Sequence, residues 1–320
     1  VRRLDPARAF LLGWRVMARL PEPVVRALML VAADLAWLRT GAGVRQLQAN
    51  IARARPHAGR RELRRLTREG MRNYLRYFAE MFQLDQWTPE QIDARVRAVG
   101  ADVPMAEVAA GRTVVLALAH QGNWDLAGAW ASRHLAPATA VAERLEPPEV
   151  FDAFVRMRAA IGIDIIPLDR GSDVFRRLVA LIRAGNTLIP LLADRDLTAS
   201  GVEVELLGER ARVAAGPAAL AVSTGGMVVP TVLRHERLRG ERRKQARSRW
   251  GLVVTFHPPV RVPQSGSNAE RVATVTQEWV DVLGADIAEF PTHWHMLQKV
   301  FVADLDPDRL TSVAGSKEAR

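Results

Sequence analysis

The chain contains no cysteine. That absence excludes disulfides, thiolate metal sites and a cysteine nucleophile, and is compatible with a reducing compartment. Lysine is nearly missing as well. Lys244, Lys299 and Lys317 are the only ones among 45 basic residues, so arginine carries the net charge of +10. A GC-rich genome produces the same arginine and alanine bias, and charge by itself therefore assigns no partner. Nucleic acid, anionic lipid and a phosphorylated cofactor all suit a basic surface. No apolar run reaches the ~20 residues of a membrane span; the longest, ALMLVAADLAWL (27–38), contains Asp34. FLLGW (10–14) is too brief for a signal peptide and lacks a small-residue cleavage site. A soluble or peripherally bound protein is expected. Ser223 lacks the G-x-S-x-G elbow of a serine hydrolase. There is no P-loop, nucleic-acid motif or aromatic stacking ladder, and no nucleic-acid partner is expected.

What is present is a chain of 320 residues, 48% hydrophobic, enough for a large packed core. It reads as a single domain, 1–320, in three parts. Residues 1–100 carry apolar residues at helical spacing with arginines between, as in PARAFLLGWRVMARL, PEPVVRALMLVAADLAWLRTG and RRELRRLTREGMRNYLRYFAEMF. They predict an amino-terminal helical layer that packs on the rest. Its arginine-rich face, with Leu, Phe and Trp opposite, also suits docking on anionic lipid.

Residues 112–305 predict an α/β core. TVVLALA (113–119), TAVAERL (139–145), IDIIPL (163–168) and NTLIPLLAD (186–194) read as short buried strands. Helical segments separate them: WDLAGAWASRHLA, PPEVFDAFVRMRAAIG and SDVFRRLVALIRAG, the last with a serine cap and a glycine stop. Such alternation implies a central, mostly parallel or mixed sheet flanked by helices. Longer strands follow, GVEVELLGERARV, MVVPTVLRHERL and GLVVTFHPPV, then a helix over 269–289. Residues 306–320 are expected to be a disordered tail.

The stretch that suggests chemistry is LALAHQGNWDLAG (116–128). Ligands of open α/β sheets sit beyond the carboxyl ends of the strands, and His120 is at such an end. Asn123 can cap the following helix and Asp125 falls in its first turn, where the helix dipole favours an acid in any case. The sharper expectation is that the turn folds Asp125 back onto the imidazole. One ring nitrogen then donates to the carboxylate, and the other takes a proton from a substrate hydroxyl. No covalent enzyme intermediate is needed. An oxyanion would be met by backbone N–H groups near 121–124 or by an arginine. Val114, Leu116, Leu118, Trp124 and Trp130 are candidates for the wall of an apolar channel, though ordinary core packing uses the same residues. HWH (293–295) could put two histidines on one strand face, but a metal needs a third ligand and none is evident, so no metal and no cofactor are expected.

H-x4-D resembles the glycerolipid acyltransferase superfamily, including the lauroyltransferases of lipid A synthesis. HQGNWDLAG, TAVAERL, LLADRDLTASGVEVELLGE, GPAALAVSTG and WHMLQ resemble successive blocks of the actinobacterial phosphatidylinositol mannoside acyltransferases, over roughly 10–305. The resemblance implies transfer of a palmitoyl-like group from acyl-CoA, a co-substrate, to the 6-hydroxyl of the mannose on the inositol 2-position. It implies peripheral work at the cytoplasmic face of the plasma membrane. By the same resemblance His120 is the general base with Asp125 as its partner, and Asp194 is a further catalytic acid. Glu143, Arg144, Arg158, Arg195, Asp196, Trp124 and His295 contact substrate. Asp194 stands where a glutamate is expected from the mycobacterial relatives, one methylene shorter, which changes its reach to either the acceptor mannose or the base histidine. A related acyltransferase with another glycolipid or a lysophospholipid acceptor, and a non-catalytic basic lipid- or nucleic-acid-binding protein, are the alternatives.

Overall fold

The structure, a computed structural model, describes residues 6–168, 173–196 and 201–306. The expected tail therefore lies almost wholly outside the described residues. Helical spacing in the amino-terminal part forms α1 (Pro6–Arg19), α2 (Glu22–Arg39), α3 (Ala42–Ala54) and α4 (Arg60–Met81). A capping box of Thr88 and Gln91 then opens the short α5 (Pro89–Arg95). It delivers the chain into β1 (Val96–Val99), a strand inside the segment whose periodicity suggests helices only. Four residues are too short a run for a period to register.

After α6 (Asp102–Ala109) strand and helix alternate as expected: β2 (Val114–Leu118), α7 (Trp124–His134), β3 (Ala138–Glu143), α8 (Pro148–Ala160), β4 (Ile163–Leu168), α9 (Val174–Ala184) and β5 (Leu188–Leu192). The expected serine cap of α9, Ser172, lies outside the described residues. The N-cap position is held by Asp173, whose side chain makes no capping bond and accepts instead from Arg176 at 2.6 Å. The glycine stop is there: Gly185, at φ +80°, packs where a Cβ would lie 2.2 Å from the Gly111 carbonyl oxygen.

Residues 201–213 differ from the expected single strand. They form β6 (Val202–Leu206) and β7 (Glu209–Val213), an antiparallel pair that makes its own small sheet. Leu207 and Gly208 both adopt positive φ, the geometry of a tight hairpin turn. The chain closes with α10 (Gly216–Thr224), β8 (Met227–Arg237), α11 (Gly240–Gln245), β9 (Trp250–Phe256), β10 (Val260–Arg261) and α12 (Asn268–Glu289), which begins with a second capping box at Ser267 and Glu270.

The main sheet has the order β1-β9-β8-β2-β5-β3-β4, with β10 pairing β8. All its pairings are parallel except β8 with β9 and β8 with β10. β2 lies at the centre and is buried along its whole length, which explains its unbroken apolar sequence. α7 covers one face of the sheet through Leu126 and Ala129; α10 and α12 cover the other through Leu220, Trp279 and Leu283. The helical layer is joined to this core and not appended. Trp14 of α1 packs against Phe82 and Phe154, with ring centroids 5.6 and 4.9 Å away. Trp14 of α1 therefore faces inward, as the expected packing of the helical layer on the rest requires. No single helix among the described residues is long and apolar enough to cross a membrane.

Candidate active site

His120 stands two residues beyond the end of β2. β5 runs beside β2 in parallel register, Leu118 opposite Leu192. Asp194, two residues beyond the end of β5, consequently comes level with His120. The His120 ring Nδ1 lies 2.6 Å from Asp194 Oδ1. Asp194 Oδ2 accepts the His120 backbone N–H at 3.0 Å and the Trp294 indole N–H at 2.7 Å. Burial pushes this carboxyl up, but the imidazole and these three donors outweigh it and hold Asp194 below the usual carboxylate range. An ionised Asp194 makes Nδ1 the protonated nitrogen and leaves Nε2 as the acceptor. The shorter arm of aspartate at this position therefore reaches the ring.

Asp125 does something else. It is buried in the first turn of α7 and faces α4 and α8, away from the imidazole. Arg158 donates to it through Nε at 2.8 Å, and the Tyr77 hydroxyl donates at 2.8 Å. Burial and the Asp125 charge push the Tyr77 hydroxyl well above its ordinary value; Asp125 holds the buried Arg158 firmly protonated. The expected Asp125–His120 contact is thus replaced by an Arg158–Asp125–Tyr77 cluster. The reason is directional. Asn123 caps α7 by accepting from the Leu126 N–H, and a helix begun there aims position 125 at its neighbours.

The turn between His120 and α7 is tight. Gly122, at φ +55°, lies against β8, where a Cβ would be 2.9 Å from the Leu233 carbonyl oxygen. Asn123 also donates to Glu80 of α4 at 2.8 Å, and His235 of β8 lies 3.3 Å from the same Glu80 oxygen. Of the expected oxyanion donors, the Gln121 and Gly122 N–H groups are engaged, donating to the carbonyls of Ala119 and His293.

A cavity of about 360 Å³ opens beside His120, within the range of ordinary small-molecule sites (~300–1,000 Å³). Trp124, Arg158, Arg195, Glu143 and His295 line it, as do Leu116 and Leu118. Trp124 meets His120 edge to face at 5.6 Å and stacks on Tyr77. Glu143 is at an exposed edge, 3.5 Å from Arg195. His295 is buried; its backbone N–H donates to the His120 carbonyl at 2.7 Å, and neither ring nitrogen has a hydrogen-bond partner among the described residues. Small residues of α7, Ala127, Gly128 and Ala131, continue the cavity along the sheet toward Ala138, Ala140 and Ile163. Gly128 keeps helix and strand close: a Cβ there would sit 2.4 Å from Ile163 Cδ1.

Two expected substrate contacts lie outside the cavity wall, and the open readings of Val114, Trp130 and HWH resolve to packing and a turn. Arg144 is not in the cavity wall; its guanidinium lies over the Phe151 ring at 5.2 Å. Asp196 is also outside the wall and pairs with Arg212 at 3.4 Å, tying β5 to the β6–β7 hairpin. Val114 is sealed in the core, and Trp130 stacks on His134 at 4.9 Å. His293 and His295 do not share a strand: His293 ends a 3-10 turn and its Nδ1 accepts the His235 N–H at 3.2 Å. No three or more His, Asp or Glu side chains among the described residues are grouped to hold a metal. Tyr74, Tyr77 and Phe78 of α4 wall the cavity and were not singled out from sequence. Their helical spacing marks them as buried, but nothing local says against what.

A carboxylate–imidazole pair beside an apolar cavity has the geometry to pass a proton. The profile of the bacterial lipid A biosynthesis acyltransferase family matches residues 6–302, and the chain belongs to that family. It is an acyltransferase. It is 35% identical over 299 residues to the phosphatidylinositol mannoside acyltransferase of Mycolicibacterium smegmatis, covering 93% of this chain and 91% of that one. The protein of the same name from Mycobacterium tuberculosis (strain CDC 1551 / Oshkosh) is 35% identical over 304 residues, with 94% and 90% covered. Among solved structures, a 1-acyl-sn-glycerophosphate acyltransferase from Thermotoga maritima aligns over 84% of this chain and 97% of that chain, at 15% identity and a TM-score of 0.36.

Proposed function

We propose that the protein transfers a fatty acyl group from acyl-CoA to the 6-hydroxyl of the mannose on the inositol 2-position of a phosphatidylinositol mannoside. The acceptor comes from the names of the relatives; the chemistry comes from the site. The observation that carries the reading is the 2.6 Å His120–Asp194 contact at the cavity. His120 Nε2 removes the hydroxyl proton as the oxygen attacks the thioester carbonyl, and Asp194 stabilises the imidazolium. The tetrahedral intermediate collapses with cleavage of the carbon–sulfur bond. The thiolate leaves and the imidazolium returns the proton to it. A thiol of pKa ~8.5 needs little help to depart. Arg158, held by Asp125 and facing the cavity, supplies charge for the oxyanion.

The acyl chain lies along α7. Ala131 is two turns beyond Trp124, roughly 10 Å further from the imidazole at 1.5 Å per residue. Each methylene buried there contributes about 0.8 kcal/mol, which is why small side chains are placed where a core would ordinarily have large ones. Glu143 and Arg195 at the exposed edge bind the sugar. The protein works at an anionic membrane surface, peripherally and on the cytoplasmic side, because its acceptor stays in the bilayer.

The test is transfer itself: purified protein, radiolabelled palmitoyl-CoA, and phosphatidylinositol mannosides, phosphatidylinositol and lysophospholipid as acceptors. Label on the mannosides alone supports the reading. Label on lysophospholipid keeps the chemistry and replaces the acceptor. CoA release without labelled lipid would make the protein a thioesterase under these conditions.

A further inference from the structure

The other side of α4 borders a second cavity, about 510 Å³, that shares no residue with the first. It lies between α2, α4 and the ends of β8 and β9. Four turns of α4 contribute Arg65, Arg68, Arg72 and Arg76; α2 contributes Arg26, and the strand ends contribute Arg237 and Arg249. Against these seven guanidinium groups stand few carboxylates. Asp34 chelates Arg68 and Arg72, with contacts of 2.6–2.9 Å, and Glu69 lies 3.7 Å from Arg65. Arg26, Arg76, Arg237 and Arg249 have no ion-pair partner among the described residues.

Arg76 is the most telling of the four. It is only 8% exposed, yet its Nε has no acceptor among the described residues. Its other contacts are Asn73, which accepts at 2.6 Å, and the Trp250 ring at 3.5 Å; Arg237 lies over the same ring at 4.0 Å. Burial lowers Arg76 to about 10, and although Glu80 opposes this, Arg237 and Arg26 push the same way. A guanidinium buried beside others of its kind is costly without a counter-charge. The cavity is built for an anion, and forked guanidinium groups favour the oxygens of a phosphate.

The helix that carries Arg26 says where the phosphate comes from. Val24, Leu28, Val31, Leu35 and Leu38 are all more than 40% exposed and recur at three- and four-residue steps, one stripe along the length of α2. An exposed apolar stripe of this kind fits a membrane interface. A soluble anion has no use for it.

We propose that the arginine cavity is a second, non-catalytic site that seats the phosphate of an anionic phospholipid while the outer face of α2 lies among the acyl chains. This rests on the reading that the protein works at a membrane surface, but on neither the acceptor nor the acyl donor.

The experiment is flotation of the full chain with phosphatidylcholine vesicles, plain or containing about one-fifth phosphatidylinositol. Two variants of equal charge are compared: Arg26→Gln/Arg249→Gln in the cavity, and Arg176→Gln/Arg183→Gln on the distant exposed face of α9. The cavity variant should lose roughly thirty-fold in affinity for the anionic vesicles, from about 1 kcal/mol per arginine near such a surface. The α9 variant should lose little. Equal losses would make the attraction diffuse and overturn the site. Unchanged binding by the cavity variant, with its melting temperature intact, would also overturn it. Glycerophosphoinositol that binds as tightly as the vesicles, and with the same dependence on Arg26 and Arg249, would replace the lipid by a soluble phosphate. Wild-type protein that floats with neither vesicle would remove the membrane reading itself.

Discussion

Asp125 and Asp194 are alike in sequence logic and opposite in chemistry. Both follow a β-strand of the central sheet and both are buried; Asp125 lines the cavity, and Asp194 adjoins it through His120. Asp194 faces an imidazole, a base whose second nitrogen can take a proton from a hydroxyl. Asp125 faces a guanidinium and a phenol, which at neutral pH keep their protons. The first arrangement can move a proton; the second fixes the relative positions of α4, α7 and α8 and presents Arg158 to the cavity. A buried acid at a sheet's carboxyl edge is therefore not catalytic by location. Its partner decides.

The comparison can be broken most directly at the proton acceptor. His120→Ala should lower acyl transfer by about 10²–10⁴-fold, the contribution of a positioned general base, with the fold intact by circular dichroism. Asp194→Asn should approach the same loss, ~10³–10⁴-fold in kcat, because an amide permits the wrong imidazole tautomer. Near-normal turnover in either variant would remove the proposed proton path. Asp125→Ala should register first in stability. It strands Arg158 in a buried site, and breaking such a pair costs about 3–5 kcal/mol, measurable by urea unfolding. A double-mutant cycle should couple Asp125 to Arg158 and not to His120. Coupling to His120 instead would restore the partnership that the sequence spacing suggests.

A pH axis sharpens the same contrast. His293 is lowered to about 3, chiefly by burial with help from His235, Arg76 and Arg234, and burial also lowers His235 and His295. These rings stay neutral when folded and take a proton when unfolded, near pH ~6.5. The unfolded state then binds more protons, so stability is fully present above pH ~6.5 and falls as pH drops through that value. His293 alone should contribute a slope of up to about 1.4 kcal/mol per pH unit below it. His293→Gln should flatten the urea midpoint between neutral pH and the acid range; an unchanged slope would refute this. The smallest effect is expected from Ala131→Leu. Added bulk deep in the cavity should shift preference toward shorter acyl-CoA donors, about 0.8 kcal/mol for each methylene displaced, read as relative kcat/KM across a donor series.

His120 and its position were legible because a strand end is a local event: an apolar run stops and a polar turn begins. Asp194 was marked as an acid of interest by its block, with the acceptor sugar and the base histidine both open as its contact, and the sequence did not choose between them. LALAH and LLAD lie 74 residues apart, and nothing in either says that β5 lies beside β2 with no offset. Asp125 misled for the converse reason. Five residues of separation look like proximity, yet a helix start turns the side chain away. Arg144 and Asp196, neighbours in sequence of cavity residues, are directed elsewhere because successive residues at strand ends point to different sides.

By itself, then, the sequence determined the period of most elements, the asparagine cap of α7 and the glycine stop of α9, the apolar central strand and the histidine at its end. These depend on residues a few positions apart, within reach of the backbone's own geometry. Only the tertiary structure decided which acid meets the imidazole, that α4 walls the cavity with Tyr74, Tyr77 and Phe78, and that its other side gathers arginines from α2, β8 and β9. Those outcomes depend on strand order and on the directions in which packed helices face, and they exist only once distant segments share one core.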